Sequence, residues 1–214
     1  MAVLPKALLW RRLDDVGVEQ VLVEDRSGLH ARGTMVASSP VPFVCRYELY
    51  TDDAWATARF EVSVEGAGFL RVVRLERAAA RWRVTASEQG DLDAALVRAG
   101  HPRAALPGAE DPHRLAAALD VDLGYSPLTN TLPVRRLGLR EAGQGAARTV
   151  EVAWVLVPSL EVLPSTQSYT ALEGDRVGFA SGSFTAELAL DPSGFVTHYP
   201  GLAERVAPAP SRPR

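Results

Sequence analysis

Phe43-Val-Cys-Arg-Tyr-Glu-Leu-Tyr50 and, past an Asp52-Asp53 turn, Ala58-Arg-Phe-Glu-Val-Ser-Val-Glu65 are the stretches that decide the fold. Side chains along an extended chain alternate between two faces. Phe43, Cys45, Tyr47 and Leu49 therefore share one face, and Val44, Arg46, Glu48 and Tyr50 the other. The second run repeats the pattern, with Ala58, Phe60, Val62 and Val64 set against Arg59, Glu61, Ser63 and Glu65. Each run is a strand with one buried face. Gly66-Ala-Gly68 reverses the chain into Phe69 to Arg77, and Ala78 to Arg81 leads into Trp82 to Ser87. These are four sequential antiparallel strands with turn residues between them.

Upstream, Glu19 to Asp25 and Leu29 to Ala37 add a hairpin. Downstream the alternation breaks from Gln89 to Leu119, where Leu92, Ala95, Leu96 and Ala99 have helical spacing and Gly100 with Pro102 supplies a stop. Asp111-Pro112 opens a second short helix, with proline at its first position. Strands are predicted to resume at Leu132 to Arg140 and, after Gly143-Gln-Gly145, at Val150 to Val157. The latter is apolar on both faces from Ala153 to Val157, which predicts a central strand. Ser168 to Leu172, Val177 to Ser181, Phe184 to Asp191 and Phe195 to Tyr199 follow, with no βαβ alternation. About a dozen such strands must curl to hide their edges. The expected fold is all-β and mainly antiparallel, a strongly curved sheet or incomplete β-barrel with a short helical insertion. A split near residue 105 is the alternative; a single domain over residues 1–206 is favoured because neither half closes alone. The segment Ala207 to Arg214 reads as a disordered proline-rich tail.

Composition narrows the function classes. The chain has 214 residues, 47% hydrophobic and 23% charged, enough for a sizeable core. Its net charge of −3 gives no general drive toward nucleic acid or anionic membranes. Cys45 is the sole cysteine, so disulfides and cysteine-based zinc sites are excluded, and the four histidines show no metal spacing. No signal-peptide core and no membrane-spanning run is present, so a cytoplasmic protein is expected. No nucleophile elbow, phosphate loop or dinucleotide fingerprint occurs. No metal or cofactor is therefore expected, and nothing in the sequence fixes an oligomeric state.

The chemistry concentrates in Asp120-Val-Asp-Leu-Gly-Tyr-Ser-Pro-Leu-Thr-Asn-Thr-Leu-Pro-Val-Arg-Arg-Leu137. On a strand, Asp120 and Asp122 would face one way, roughly 7 Å apart. Such a pair can neutralise Arg135 or Arg136, contact a ligand, hold a cation or act as an inverting glycosidase pair. An ion pair from Asp122 to Arg135 or Arg136 is the default expectation. Thr129, Asn130 and Thr131 stand between Pro127 and Pro133, which predicts stiff, extended or turned backbone rather than helix. Their short polar side chains either meet sugar hydroxyls or bond their own backbone. If Leu132 to Arg140 is a strand, Arg135 and Arg136 point to opposite faces and one looks inward. Trp10, Trp55, Trp82, Trp154, Tyr47, Tyr169 and Tyr199 are spread over the strands, as core filling or as surfaces for a sugar ring or acyl chain.

The Asp120 to Leu137 run resembles the signature of a glycolipid-binding family of soluble bacterial proteins, "DVDL..TP.TNTLP.RRL". Weaker similarity extends from Trp10 and Glu19, through Tyr47, Trp55 and Trp82, to Tyr169-Thr170, Phe184 to Asp191, Gly194-Phe-Val196 and Tyr199-Pro200. One departure is Ala117-Ala-Leu119, where the family usually has Gly-Cys, so a thiol role there is absent. The resemblance implies an open barrel like that of bacterial lipoprotein carriers. It also implies non-enzymatic binding of an amphipathic partner, a glycolipid or other lipid, in the concave face. Asp120, Asp122, Thr129, Asn130, Thr131, Arg135, Arg136, Trp55 and Tyr169 are the candidate ligand residues. A structural or interaction protein is one alternative; a hydrolase of a sugar or lipid conjugate using Asp120 and Asp122 is the other.

Overall fold

The structure is a computed structural model that describes residues 4–25, 28–79, 81–104 and 112–207. Residues 105–111, where the alternative split was expected, and residues 208–214 of the tail lie outside the described residues. The first arm runs β1 (Ala7–Arg12), β2 (Gly17–Asp25), β3 (Leu29–Ala37), β4 (Phe43–Thr51), β5 (Thr57–Gly66), β6 (Phe69–Ala78) and β7 (Arg81–Gly90). After α1 (Leu92–Arg98) and a 3₁₀ turn at Pro112–Leu115 come β8 (Ala118–Leu123) and α2 (Pro127–Arg136). The second arm is β9 (Ala147–Val155), β10 (Val162–Ala171), β11 (Arg176–Ser181), β12 (Phe184–Leu190), β13 (Val196–Tyr199) and β14 (Ala203–Arg205).

All fourteen strands form one sheet, ordered β7 to β1 and then β14 down to β8. Two meanders thus join where β1 pairs antiparallel with β14. The sheet is all-β and mainly antiparallel as expected, and it stays open: β7 and β8 are its two ends. They are nevertheless brought together, because the Trp82 indole of β7 donates to the Ala118 carbonyl of β8 at 3.0 Å. From β5, the Thr57 hydroxyl accepts the Val121 amide at 3.2 Å, so β8 crosses the inside of the curl.

The alternation read from Phe43 to Glu65 is realised except at the start of β5, where Thr57 rather than Ala58 is buried, beside a register shift at Tyr50 and Thr51. Phe43, Cys45, Tyr47 and Leu49 are buried on β4, and Phe60, Val62 and Val64 on β5. The helix at Leu92 forms, capped by the Asp91 carboxylate on the Ala94 amide at 2.8 Å. Arg71 of β6, only 1% exposed, ties this insertion to the sheet. It contacts Glu88 at 3.0 Å and Asp93 at 3.7 Å and donates to the Ser159 carbonyl.

Two expectations fail at one place. Residues 127–136 are helical, so Thr129-Asn130-Thr131 is not extended and the strand predicted over Leu132 to Arg140 does not exist. Because β8 and β9 pair in parallel, β8–α2–β9 is also a βαβ unit in a chain expected to have none. The helix opens with Pro127 in its first turn, where a missing N–H costs nothing. It closes with Gly138 at φ 60°: Gly138 N–H bonds the Arg135 carbonyl and Leu139 N–H that of Val134, a Schellman motif. All eight residues from Pro127 to Val134 are buried, so no polar face exists to betray a helical period. β9 is paired on both sides, by β8 and β10, yet lies one place from the sheet end, with Trp154 partly exposed.

Candidate functional site

Strand β8 and helix α2 form a hairpin through Gly124-Tyr125-Ser126. Aspartates two apart share a strand face, and helix positions seven apart share a helix face. Asp120 and Asp122 accordingly both look at α2, one meeting Arg136 and the other Thr129. Arg136 forks onto Asp120 at 2.6 and 3.2 Å, and the Asp120 side chain is fully buried. Burial raises the Asp120 carboxyl above its ordinary range, and the Arg136 guanidinium works against that rise. Arg135, 100° further round the helix, lies over the Trp55 ring at 4.1 Å and donates to the Ser193 carbonyl. The default ion pair thus forms with the other partner: Arg136 takes Asp120, and Asp122 is left without a cation.

Asp122 is held by neutral donors instead. Thr129 Oγ1 donates at 2.8 Å and Gln167 Nε2 at 2.6 Å. From Gln167 the chain of bonds continues: Tyr169 OH donates to Gln167 Oε1 at 3.0 Å, and Asn130 Nδ2 to Tyr169 OH at 3.0 Å. Burial outweighs the two donors and pushes the Asp122 carboxyl up to about 6. Burial also pushes the Tyr169 phenol well above its ordinary value, so it stays a donor throughout the physiological range.

This network is the floor of a half-open cleft of about 320 Å³. Asp122, Ser126, Asn130 and Gln167 line its polar side. Tyr125, Trp154, Phe179, Phe184 and Tyr199 supply aromatic walls, with Leu156, Val157 and Leu202 between them. Tyr125, Trp154 and Phe184 are among the exposed large hydrophobics of the chain, and all three stand at this cleft. Tyr125 is also held at φ 67°, a left-handed conformation that costs a bulky residue about 1–3 kcal/mol. The Arg12 guanidinium, 4.0 Å from its centroid, stacks on that ring.

A second buried acid lies behind the floor. Glu19 of β2 accepts Tyr47 OH at 2.6 Å and Ser126 Oγ at 2.5 Å, while its Oε2 has no partner among the described residues. Tyr47 reaches it from β4 by crossing β3 over Gly33, where an added Cβ would sit 2.0 Å from the ring. Desolvation pushes the Glu19 carboxyl up to about 7. Since Ser126 spends its hydroxyl on Glu19, it caps α2 without a side-chain bond.

Of the nine residues expected at the site, Asp122 and Asn130 line the cleft, and Thr129 and Tyr169 hold them. Asp120, Arg135, Arg136 and Trp55 form the structural clamp beside it, and Thr131 is fully buried with no partner for its hydroxyl among the described residues. No carboxylate pair opens to the cleft, because Asp120 is sealed under Arg136. Gln167, Tyr125, Phe179 and Phe184 were not expected. The one signal for Gln167 is its position two residues before Tyr169, on the same strand face; nothing local marks the aromatics. Among the described residues no group of three or more His, Cys, Asp or Glu side chains could hold a metal ion, and no helix is long and apolar enough to cross a membrane.

A family model described as "Putative glycolipid-binding" matches residues 7–205. A solved structure of a DUF1089 family protein from Pseudomonas aeruginosa is similar in fold, with 24% identity and a TM-score of 0.66. The match covers 88% of this chain and 92% of that one. No curated protein matches the chain.

Proposed function

This chain belongs to the family described as Putative glycolipid-binding, and from that premise and the cleft we propose that it binds an amphipathic ligand, a glycolipid, without transforming it. The carrying observation is the cleft's asymmetry: a hydrogen-bonding floor of Asp122, Asn130 and Gln167 under walls of Phe179, Phe184, Trp154 and Tyr199. Apolar walls with a few convergent polar groups are the usual build of a small-molecule site. Sugar hydroxyls both donate and accept, which suits a carboxyl beside two amides. The acyl part gains about 0.8 kcal/mol per buried methylene against the aromatic mouth.

The hydrolase alternative needs two carboxyl groups at the cleft, and one lines it. Binding is tested with an alkyl glycoside and a plain fatty alcohol of equal chain length, titrated calorimetrically. Asn130→Ala should weaken the glycoside by about 5- to 150-fold, the worth of one unmet buried hydrogen bond, and leave the alcohol nearly unchanged. Equal loss for both would assign Asn130 to folding through Tyr169, and no binding by either would reject the proposal.

A further inference from the structure

Within that cleft the charge is one-sided. Among the described residues, Asp122 is the one charged side chain that lines the cleft. Neither arginine of α2 compensates it, since Arg136 is committed to Asp120 and Arg135 to Trp55 and Ser193. Its partners, Thr129 and Gln167, are neutral donors that fix the carboxylate's direction without cancelling its charge. The residue is deeply set yet partly accessible, with the cleft beside it. Around it stand the rings of Trp154, Phe179, Phe184 and Tyr199, whose negative faces attract cations. A buried carboxylate without a counter-ion and an aromatic enclosure ask for the same thing in a ligand.

We infer that the cleft selects a protonated amine: the ligand is an amphiphile bearing a primary ammonium on its head group, with Asp122 as its counter-ion. The inference rests on the binding reading above and specifies its head group. An amino sugar and a simple long-chain amine share this chemistry. An anionic head group is disfavoured by it, because a second negative charge beside Asp122 would be repelled and the cation at the cleft's Tyr125 wall, Arg12, is already paired with Asp14. The elevated carboxyl is consistent with this, since an arriving ammonium supplies the missing partner that keeps Asp122 ionised.

The test uses the full chain and five probes of one chain length: octylamine, octanol, octanoate, octyl glucoside and octyl glucosaminide. At pH 8 octylamine should bind about 10- to 150-fold more tightly than octanol, the range of a hydrogen bond to a charged group, with octanoate weakest. Asp122→Asn should abolish the amine preference while octanol still binds. Lowering the pH to 5 should cut that preference about tenfold in the wild type, as the carboxyl is protonated before the amine arrives. Of the other ionisable groups facing Asp122, Tyr169 and Tyr199 are raised further above that interval, and any pH dependence that Asp120 contributes from its pair with Arg136 remains in Asp122→Asn and is subtracted. Glu19, across Ser126, is separated by running the same titration in Glu19→Gln.

Octyl glucosaminide tighter than octylamine identifies an amino sugar as the source; parity identifies a plain amine. An octanol or octanoate affinity matching octylamine, or a preference that survives Asp122→Asn, overturns the inference. Octyl glucoside binding without any amine preference overturns it while leaving the amphiphile reading intact. Failure of all five probes removes both.

Discussion

On the arm from β1 to β7 the inner face is closed by Phe43, Cys45, Leu49, Phe60, Val62, Val73 and Leu75, whereas on the arm from β9 to β14 it carries Gln167, Tyr169 and Ser181 and opens into a cleft. Both arms are antiparallel meanders in the same sheet. What separates them is what fills the curl. The first arm is packed by its own side chains together with β8 and the insertion, and its most deeply buried arginine, Arg71, is matched to Glu88 and Asp93. In the second, α2 delivers Thr129 and Asn130 to the inner face, and their polar groups preclude apolar closure. A site is thus made by withholding core from one half of a continuous sheet.

If that division is right, two aspartates two residues apart should behave oppositely. Asp120→Asn leaves the Arg136 guanidinium in place without its buried partner, a change that costs about 3–5 kcal/mol. For a chain of this size the melting temperature should fall by about 6–20 °C. Asp122→Asn keeps an acceptor for Thr129, turns its amide toward that of Gln167 and loses no ion pair, so at most one buried hydrogen bond of about 1–3 kcal/mol is lost and its melt should fall less than that of Asp120→Asn. Similar losses at both positions, read by thermal and urea denaturation, would break the distinction between clamp and cleft floor.

Most of the first arm was legible in the sequence because strands such as β4 and β5 have one apolar and one largely polar face, a pattern that survives without tertiary context; β1, with Leu8, Leu9 and Trp10 in a row, was not. Helix α2 was not. Buried along Pro127 to Val134 and interrupted by Pro133, it lacks the polar stripe by which a helix shows itself, and its flanking prolines suggest extended chain. The misreading propagated to the charges. On a strand Arg135 and Arg136 oppose one another, and Asp122 is a natural partner; on a helix Arg136 falls two turns beyond Thr129, beside Asp120. The candidate acids and Asn130 could be named from the motif, but the aromatic walls come from β9, β11, β12 and β13, which only the folded sheet brings together.

The contact between the first arm and the start of α2 should titrate. Glu19 of the first arm is bonded to Ser126 at the start of α2, and its carboxyl stands at about 7 against an ordinary 4.5. The folded state therefore holds the proton more tightly than the unfolded state. Its contribution to stability is fully present below about pH 4.5 and is lost as the pH rises to about 7. The loss amounts to roughly 3 kcal/mol across that window. Glu19→Gln keeps an acceptor for Tyr47 and Ser126 without the charge, so the stability difference between variant and wild type should grow in the variant's favour from pH 4.5 to 8. A pH-independent difference would mean that Glu19 keeps its ordinary acidity.

The smallest effect concerns two hydrophobic side chains that are equally exposed. Val36 on β3 is 46% exposed and Phe184 on β12 is 48% exposed, so burial alone does not separate them. Scattered surface hydrophobes need no function, whereas Phe184 stands with Tyr125 and Trp154 at one cleft, its ring 6.2 Å from those of Phe179 and Tyr199. Phe184→Ala should change stability by less than about 1 kcal/mol, because its ring is half in solvent already. It should weaken an octyl amphiphile by about 5- to 30-fold, the equivalent of 1–2 kcal/mol of lost contact. Val36→Ala should leave both quantities unchanged, which controls for general surface hydrophobicity. The Trp154 ring offers the readout: at the same cleft, its emission should respond to ligand in the wild type and in Val36→Ala, and respond only at higher concentration in Phe184→Ala. Equal binding by all three proteins would mean that the exposed aromatics of the second arm are ordinary surface, and that the two arms differ in filling but not in use.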